Sequence, residues 1–237
     1  MLENFEAQFM QSPIKEDKSQ IGNEEKNLKL EEIKHEVENT CDKLGQSIDE
    51  RIKETVIMFK ANELPTSSSC ESHVERGLYT PYVEVSALNE PEERFIDENK
   101  AFEKVAKKYN ITIDKVKASK IEEAYVEAIK ECSQNEETEE YKKWNKENEK
   151  LLEKGRNLLE KFYKGRRVDP NIKLQINKGV GYFRIHNGGE NYQFIIDKER
   201  KISEEEKKIR EENIEKYRAE MQEFTDFLKK VYMKKEI

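Results

Sequence analysis

The apolar residues of this chain change period along its length, and that change limits the folds open to it. From 24 to 64 they fall three and four apart, as on an amphipathic helix. "TSSSC" and "PYVEVSA" then read as short extended segments, with Val83 and Val85 on one face and Tyr82, Glu84 and Ser86 on the other. Helical spacing returns from about 92 to 164. "IKLQI", "GYFRIH" and "YQFII" alternate again, separated by the turn compositions "NKGVG" and "NGGEN", and a last helix follows. Neither strand group can bury its faces alone. Both are therefore expected in one small, mainly antiparallel sheet, with the second and last helices packed on it. The fold class is α+β, helix-rich, with flanking helices and an inserted helical arm at about 92–165. Residues 1–23 read as a flexible tail ahead of a single domain, 24–237.

The helices carry narrow stripes, as they must in a chain with 40 % charged and 35 % hydrophobic residues. Leu30, Ile33, Val37, Cys41 and Leu44 share a face of the first, expected over 24–44. Ser47 and Glu50 read as a capping box for the second, whose face is Ile48, Ile52, Val56 and Phe59. Pro91 is placed in the first turn of a third helix, and a fourth is expected from 113 to 132. Over 141–164, Tyr141, Trp144, Asn148, Leu151, Gly155, Leu158 and Phe162 form a coiled-coil-like seam, weakened at Asn148 and Gly155. Ser203 and Glu206 read as a capping box for the last helix, with Ile209, Ile214, Tyr217, Met221, Phe224, Leu228 and Val231 on its stripe.

Charge and cysteine usage narrow the function classes. The net charge is −7 with both signs mixed, which argues against broad nucleic-acid binding. Three cysteines without framework spacing point to thiols in the cytoplasm. The first twenty residues lack a basic start and a continuous apolar run, so they do not read as a secretion signal. No run of 18 apolar residues reads as a membrane span. The Lys/Glu runs read as solvated helix faces.

One stretch departs from this pattern. "LPTSSSCESHVERGLYTPYVEVSA" gathers hydroxyls, a thiol, an imidazole and an arginine. Cys70 and His73 are the candidate reactive pair, a thiol followed three residues later by a base. Ser67, Ser68 and Ser69 are candidate hydroxyl donors, Arg76 an anion contact, and Glu71, Tyr82 and Glu84 further ligand contacts. The expected ligand is small and polar or anionic. Cys-x-x-His is also half of a zinc site, but the other half is missing locally, and no metal, cofactor or reaction is assigned. The packing alternative makes Cys70 a small buried hydrophobe and His73 a solvated loop residue. A rival in a different class is a non-catalytic adaptor, binding a protein partner or itself through the 141–162 seam and the C-terminal helix.

"TSSSCESH…GLYTPYVEV", with the later "YRAEMQEFTDFLKKVY", resembles a family of uncharacterised bacterial proteins. These carry a Ser-Cys-Glu-Gly-His core, then Pro-aromatic-Val, then a C-terminal amphipathic helix. Ser69, Cys70, Glu71 and His73 match the core, and Ser72 stands where the family has glycine. The resemblance covers about a quarter of the chain and implies a site without implying its chemistry. If the glycine serves a positive φ or a close ligand approach, Ser72 weakens that site. "KGVGYFRI" is partly similar to the octapeptide of RNA-recognition motifs, through Lys178, Gly179, Gly181 and Tyr182. Val180 and Ile185 stand where stacking aromatics are expected, and a glycine-turn hairpin is the reading.

Overall fold

The computed structural model describes residues 18–41, 45–75, 77–189, 195–196 and 202–234. Four strands form one antiparallel sheet in the order β1-β3-β5-β4: β1 (Thr66–Cys70), β3 (Tyr82–Val85), β4 (Leu174–Lys178) and β5 (Phe183–Asn187). Both strand groups thus join one sheet. Of "YQFII", residues 192–194 lie outside the described residues. Only β6 (Ile195–Ile196) is described there, and it pairs with β2 (Gly77–Leu78) in a separate two-stranded ladder.

Period-two patterning gives the sheet one apolar face. Val83, Val85, Phe183, Ile185 and Leu174 are buried in a single core with four helices, α1 (Lys18–Glu38), α2 (Glu50–Ala61), α6 (Glu139–Tyr163) and α7 (Glu204–Lys234). Phe59 of α2 meets Phe224 of α7 edge-on at 5.9 Å, and Phe162 of α6 meets the same ring at 5.1 Å. Burying a side chain of this size contributes about 1.5–3 kcal/mol. Thr55 and Thr225 join α2 to α7 by a buried hydroxyl contact of 2.8 Å. The last capping box forms, with Ser203 Oγ accepting from the Glu206 amide at 3.1 Å. On α7, however, Ile209 is exposed and Arg210 is buried in its place. Its guanidinium donates to Val74 O and Glu206.

Other boundaries move for local reasons. The first helix, α1, spans Lys18–Glu38 rather than 24–44, so residues 18–23 of the expected tail are helical; 1–17 lie outside the described residues. It stops early because the side chains of Asn39 and Thr40 bond back to the carbonyls of His35 and Glu36. Leu44 lies outside the described residues, and Cys41 is exposed, bridged to Ser47. Ser47 therefore caps nothing: α2 starts at Glu50. The expected third helix does not begin at Pro91. α3 covers Glu98–Tyr109, because the Glu98 carboxylate folds back onto the amides of Arg94 and Phe95. The expected fourth helix splits at Ser119, which adopts a positive φ, into α4 (Ile113–Lys117) and α5 (Glu122–Cys132).

The segment expected as an arm separates into two parts. Helices α3 to α5 hold their own small core around Phe102, Val105, Val116 and Ala128. Its two ends are clasped together. Ile96 N donates to Glu136 O and Thr138 N to Arg94 O, both at 2.9 Å, and Arg94 pairs with Glu137. α6 instead lies in the main core, and its seam is buried within the chain. Both weak seam positions have partners there. Asn148 accepts from the Ala87 amide at 2.7 Å, and Gly155 admits the Phe183 ring.

Candidate functional site

β1 is an edge strand, and its C-terminal end runs into the loop that carries His73. The loop is clamped on two sides. From α7, Arg218 donates to the carbonyls of Glu71 and Ser72, each at 2.9 Å, and its guanidinium faces the Glu71 carboxylate at 3.4 Å. From α2, the Arg51 amide donates to Glu71 Oε2 at 3.0 Å. In return the Glu71 amide donates to Asp49 Oδ2 at 3.3 Å. Glu215 ties both arginines together, at 2.6 Å from Arg51 and 2.8 Å from Arg218. Burial works against its charge, but hydrogen bonds from Arg218 and Arg51 hold the Glu215 carboxyl below its ordinary range.

This clamp brings three chemically distinct groups together. Cys70 Sγ, a nitrogen of His73 and a carboxylate oxygen of Asp49 all lie within 4.8 Å of one another. His73 Nε2 stands 3.5 Å from Asp49 Oδ2, and the two side chains are 23 % and 32 % exposed. Cys70 is only half-buried. Neither is the packed thiol nor the solvated imidazole of the packing alternative. The Ser72 amide donates to Cys70 Sγ at 3.3 Å, a contact a thiolate accepts better than a thiol does. Ser72 has φ +77°, the region glycine favours, and its buried hydroxyl donates to Tyr79 O at 2.5 Å.

Asp49 and His73 open onto a cleft of about 430 Å³ between β1 and the approach to α2, where Thr66, Ser67, Ser68 and Ser69 line one wall and Cys41 and Ser47 the other. The remaining sequence-chosen residues sort differently. Glu71 is engaged with Arg51 and Arg218 and acts as a structural clamp. Tyr82 stands opposite Cys70 in the strand register, but Tyr82 and Glu84 turn to Arg184 on the polar face of the sheet. Glu84 accepts from Arg184 at 2.7 Å and from Ser67 at 2.9 Å, and the Arg184 guanidinium lies 4.7 Å over the Tyr82 ring. Ser68 contacts the Tyr82 hydroxyl at 3.2 Å. Arg76 lies outside the described residues.

Sequence reasoning missed Asp49, Arg51 and Arg218. Asp49 left one trace, a carboxylate at the position before a helix start, where a cap belongs. In the structure its side chain caps nothing and faces the loop. Asp49, Cys70 and His73 are the metal-ligating types grouped among the described residues. No helix among them is long and apolar enough to cross a membrane. No family model matches the chain, and neither does any curated protein or solved structure.

Proposed function

We propose that this cleft is a small-ligand-binding, enzyme-like site of a cytoplasmic protein, with Cys70 and His73 as its reactive or contact groups. The observation that carries this reading is the convergence of Asp49 with Cys70 and His73 within 4.8 Å. A carboxylate beside an imidazole orients the ring, which is what a base serving a thiol requires. Ser69 supplies a hydroxyl to a polar or anionic ligand in the cleft, while the Ser67 and Ser68 hydroxyls, engaged by Glu84 and Tyr82, complete its wall. The double clamp on the loop supports pre-organisation, since groups held by packing and hydrogen bonds need little rearrangement on binding. That all three cysteines are thiols supports a reducing compartment. The adaptor alternative would need the 141–162 seam at the surface, whereas Tyr141, Trp144, Leu151, Leu158 and Phe162 are buried.

The test is the alkylation rate of Cys70 against Cys41 in the same chelator-treated molecule, followed by mass spectrometry. Cys70 is expected to react several-fold faster near neutral pH, and His73→Ala and Asp49→Asn to remove that advantage. Equal rates, unchanged by either substitution, would reject the site.

A further inference from the structure

We propose that Asp49, Cys70 and His73 are three ligands of a zinc-class divalent ion, with a fourth position open to the cleft. The proposal rests on the reading of this cleft as the functional site and names what it takes.

The donor set comes first. A carboxylate oxygen, a thiolate sulfur and an imidazole nitrogen together suit a borderline-soft ion. Magnesium and calcium prefer all-oxygen shells, so the sulfur and nitrogen argue against them.

Geometry agrees. The 3.5 Å between His73 Nε2 and Asp49 Oδ2 is long for a hydrogen bond. It is close to the edge of a tetrahedron whose metal–ligand bonds are about 2.0–2.1 Å, an edge of about 3.4 Å. Edges to a sulfur ligand are about 3.6 Å, given a metal–sulfur bond of about 2.3 Å. The three donors already lie within 4.8 Å of one another, so closing onto an ion takes side-chain rotation of an ångström or so.

The groups behind the ligands are also of the right kind. The Glu71 amide donates to Asp49 Oδ2 and fixes the carboxylate. The Ser72 amide donates to Cys70 Sγ at 3.3 Å and holds the sulfur in place. Such supporting bonds orient ligands and tune their affinity. On binding, the Cys70 S–H bond breaks, its electron pair goes to the metal and its proton to solvent. Four protein ligands would make a closed structural site; three leave room for water or a ligand oxygen facing the serine wall.

The experiment uses the full-length, tag-free protein, stripped with chelator and titrated with cobalt(II) as a spectroscopic stand-in for zinc. One equivalent is expected to bind with tetrahedral visible bands and a thiolate charge-transfer band, and zinc is expected to displace it. Cys70→Ser should abolish the charge-transfer band, and His73→Ala or Asp49→Ala should weaken binding at least about tenfold. Cys132→Ser, in the separate core of α3 to α5, should leave both intact. Circular dichroism of each variant shows whether it is folded, and His73→Ala carries the test if Cys70→Ser is not. Absence of stoichiometric binding, or a thiolate band that survives Cys70→Ser, overturns the metal assignment. If binding fails while Cys70 alkylation still depends on His73 and Asp49, the metal is rejected and the reactive site stands. If both fail, both readings fall.

Discussion

Glu71 caps a helix from twenty residues away: its Oε2 accepts from the amide of Arg51, in the first turn of α2, at 3.0 Å. Helix starts leave amides without partners, and losing a cap costs about 0.5–2 kcal/mol. Glu71→Ala should therefore lower stability by about 1–2 kcal/mol in urea unfolding. Glu71→Gln keeps an acceptor and should cost less. An unchanged midpoint in Glu71→Ala would show that water replaces the carboxylate.

Ser72 holds a left-handed backbone and a buried hydrogen bond at once. Ser72→Ala keeps the backbone strain and leaves Tyr79 O without the hydroxyl, so it should destabilise by about 1–3 kcal/mol. Ser72→Gly relieves the backbone by about 1 kcal/mol and should cost clearly less. Thermal melts of the pair decide this. Glycine proving worse than alanine would mean that the φ value carries no strain.

Gly155 sits in the middle of α6, where alanine is ordinarily better by about 1 kcal/mol. Here a Cβ would stand 2.9 Å from Cε2 of the Phe183 ring. Gly155→Ala should therefore destabilise by about 1–3 kcal/mol. Combining it with Phe183→Leu should cost less than the sum of the two, a coupling readable by a double-mutant cycle. Strict additivity would mean that the ring moves aside freely.

Burial holds the His186 imidazole far below its ordinary 6.5, at about 4, with Arg184 adding to the shift. Above pH 6.5 the ring is neutral in both the folded and the unfolded chain. Below it, the unfolded chain takes up a proton that the folded chain refuses until about pH 4. Stability is thus full above pH 6.5 and should fall by about 3 kcal/mol as pH drops to about 4, at about 1.4 kcal/mol per pH unit. His186→Gln should flatten that window in urea titrations at stepped pH. An unaltered slope would place the proton elsewhere.

What was legible from sequence follows from where each signal lies. Val83 with Val85, and Ser203 with Glu206, carry their structural meaning within a few residues, and the structure keeps both. Ser47 and Glu50 carry the same local signature. It was overridden because Glu71 reaches the helix start from a distant loop. Ser119 splits a helix whose apolar spacing runs straight through it, since periodicity registers faces and not a single φ. Cys70 and His73 stood out by rarity. Asp49 did not, in a chain with 51 acidic residues, because only the folded loop brings it to them.

The clasp at Arg94, Glu137 and Thr138 makes the chain leave and re-enter the main body through a single doorway. Everything from α3 to α5 hangs on that hinge point with a core of its own. To the rest of the molecule it is a closed loop whose length hardly matters, because loop-closure entropy grows only slowly with length. The Asp49–Cys70–His73 centre takes no residue from it. In modular terms α3–α5 is cargo: changing its length should leave the serine-lined cleft unaltered.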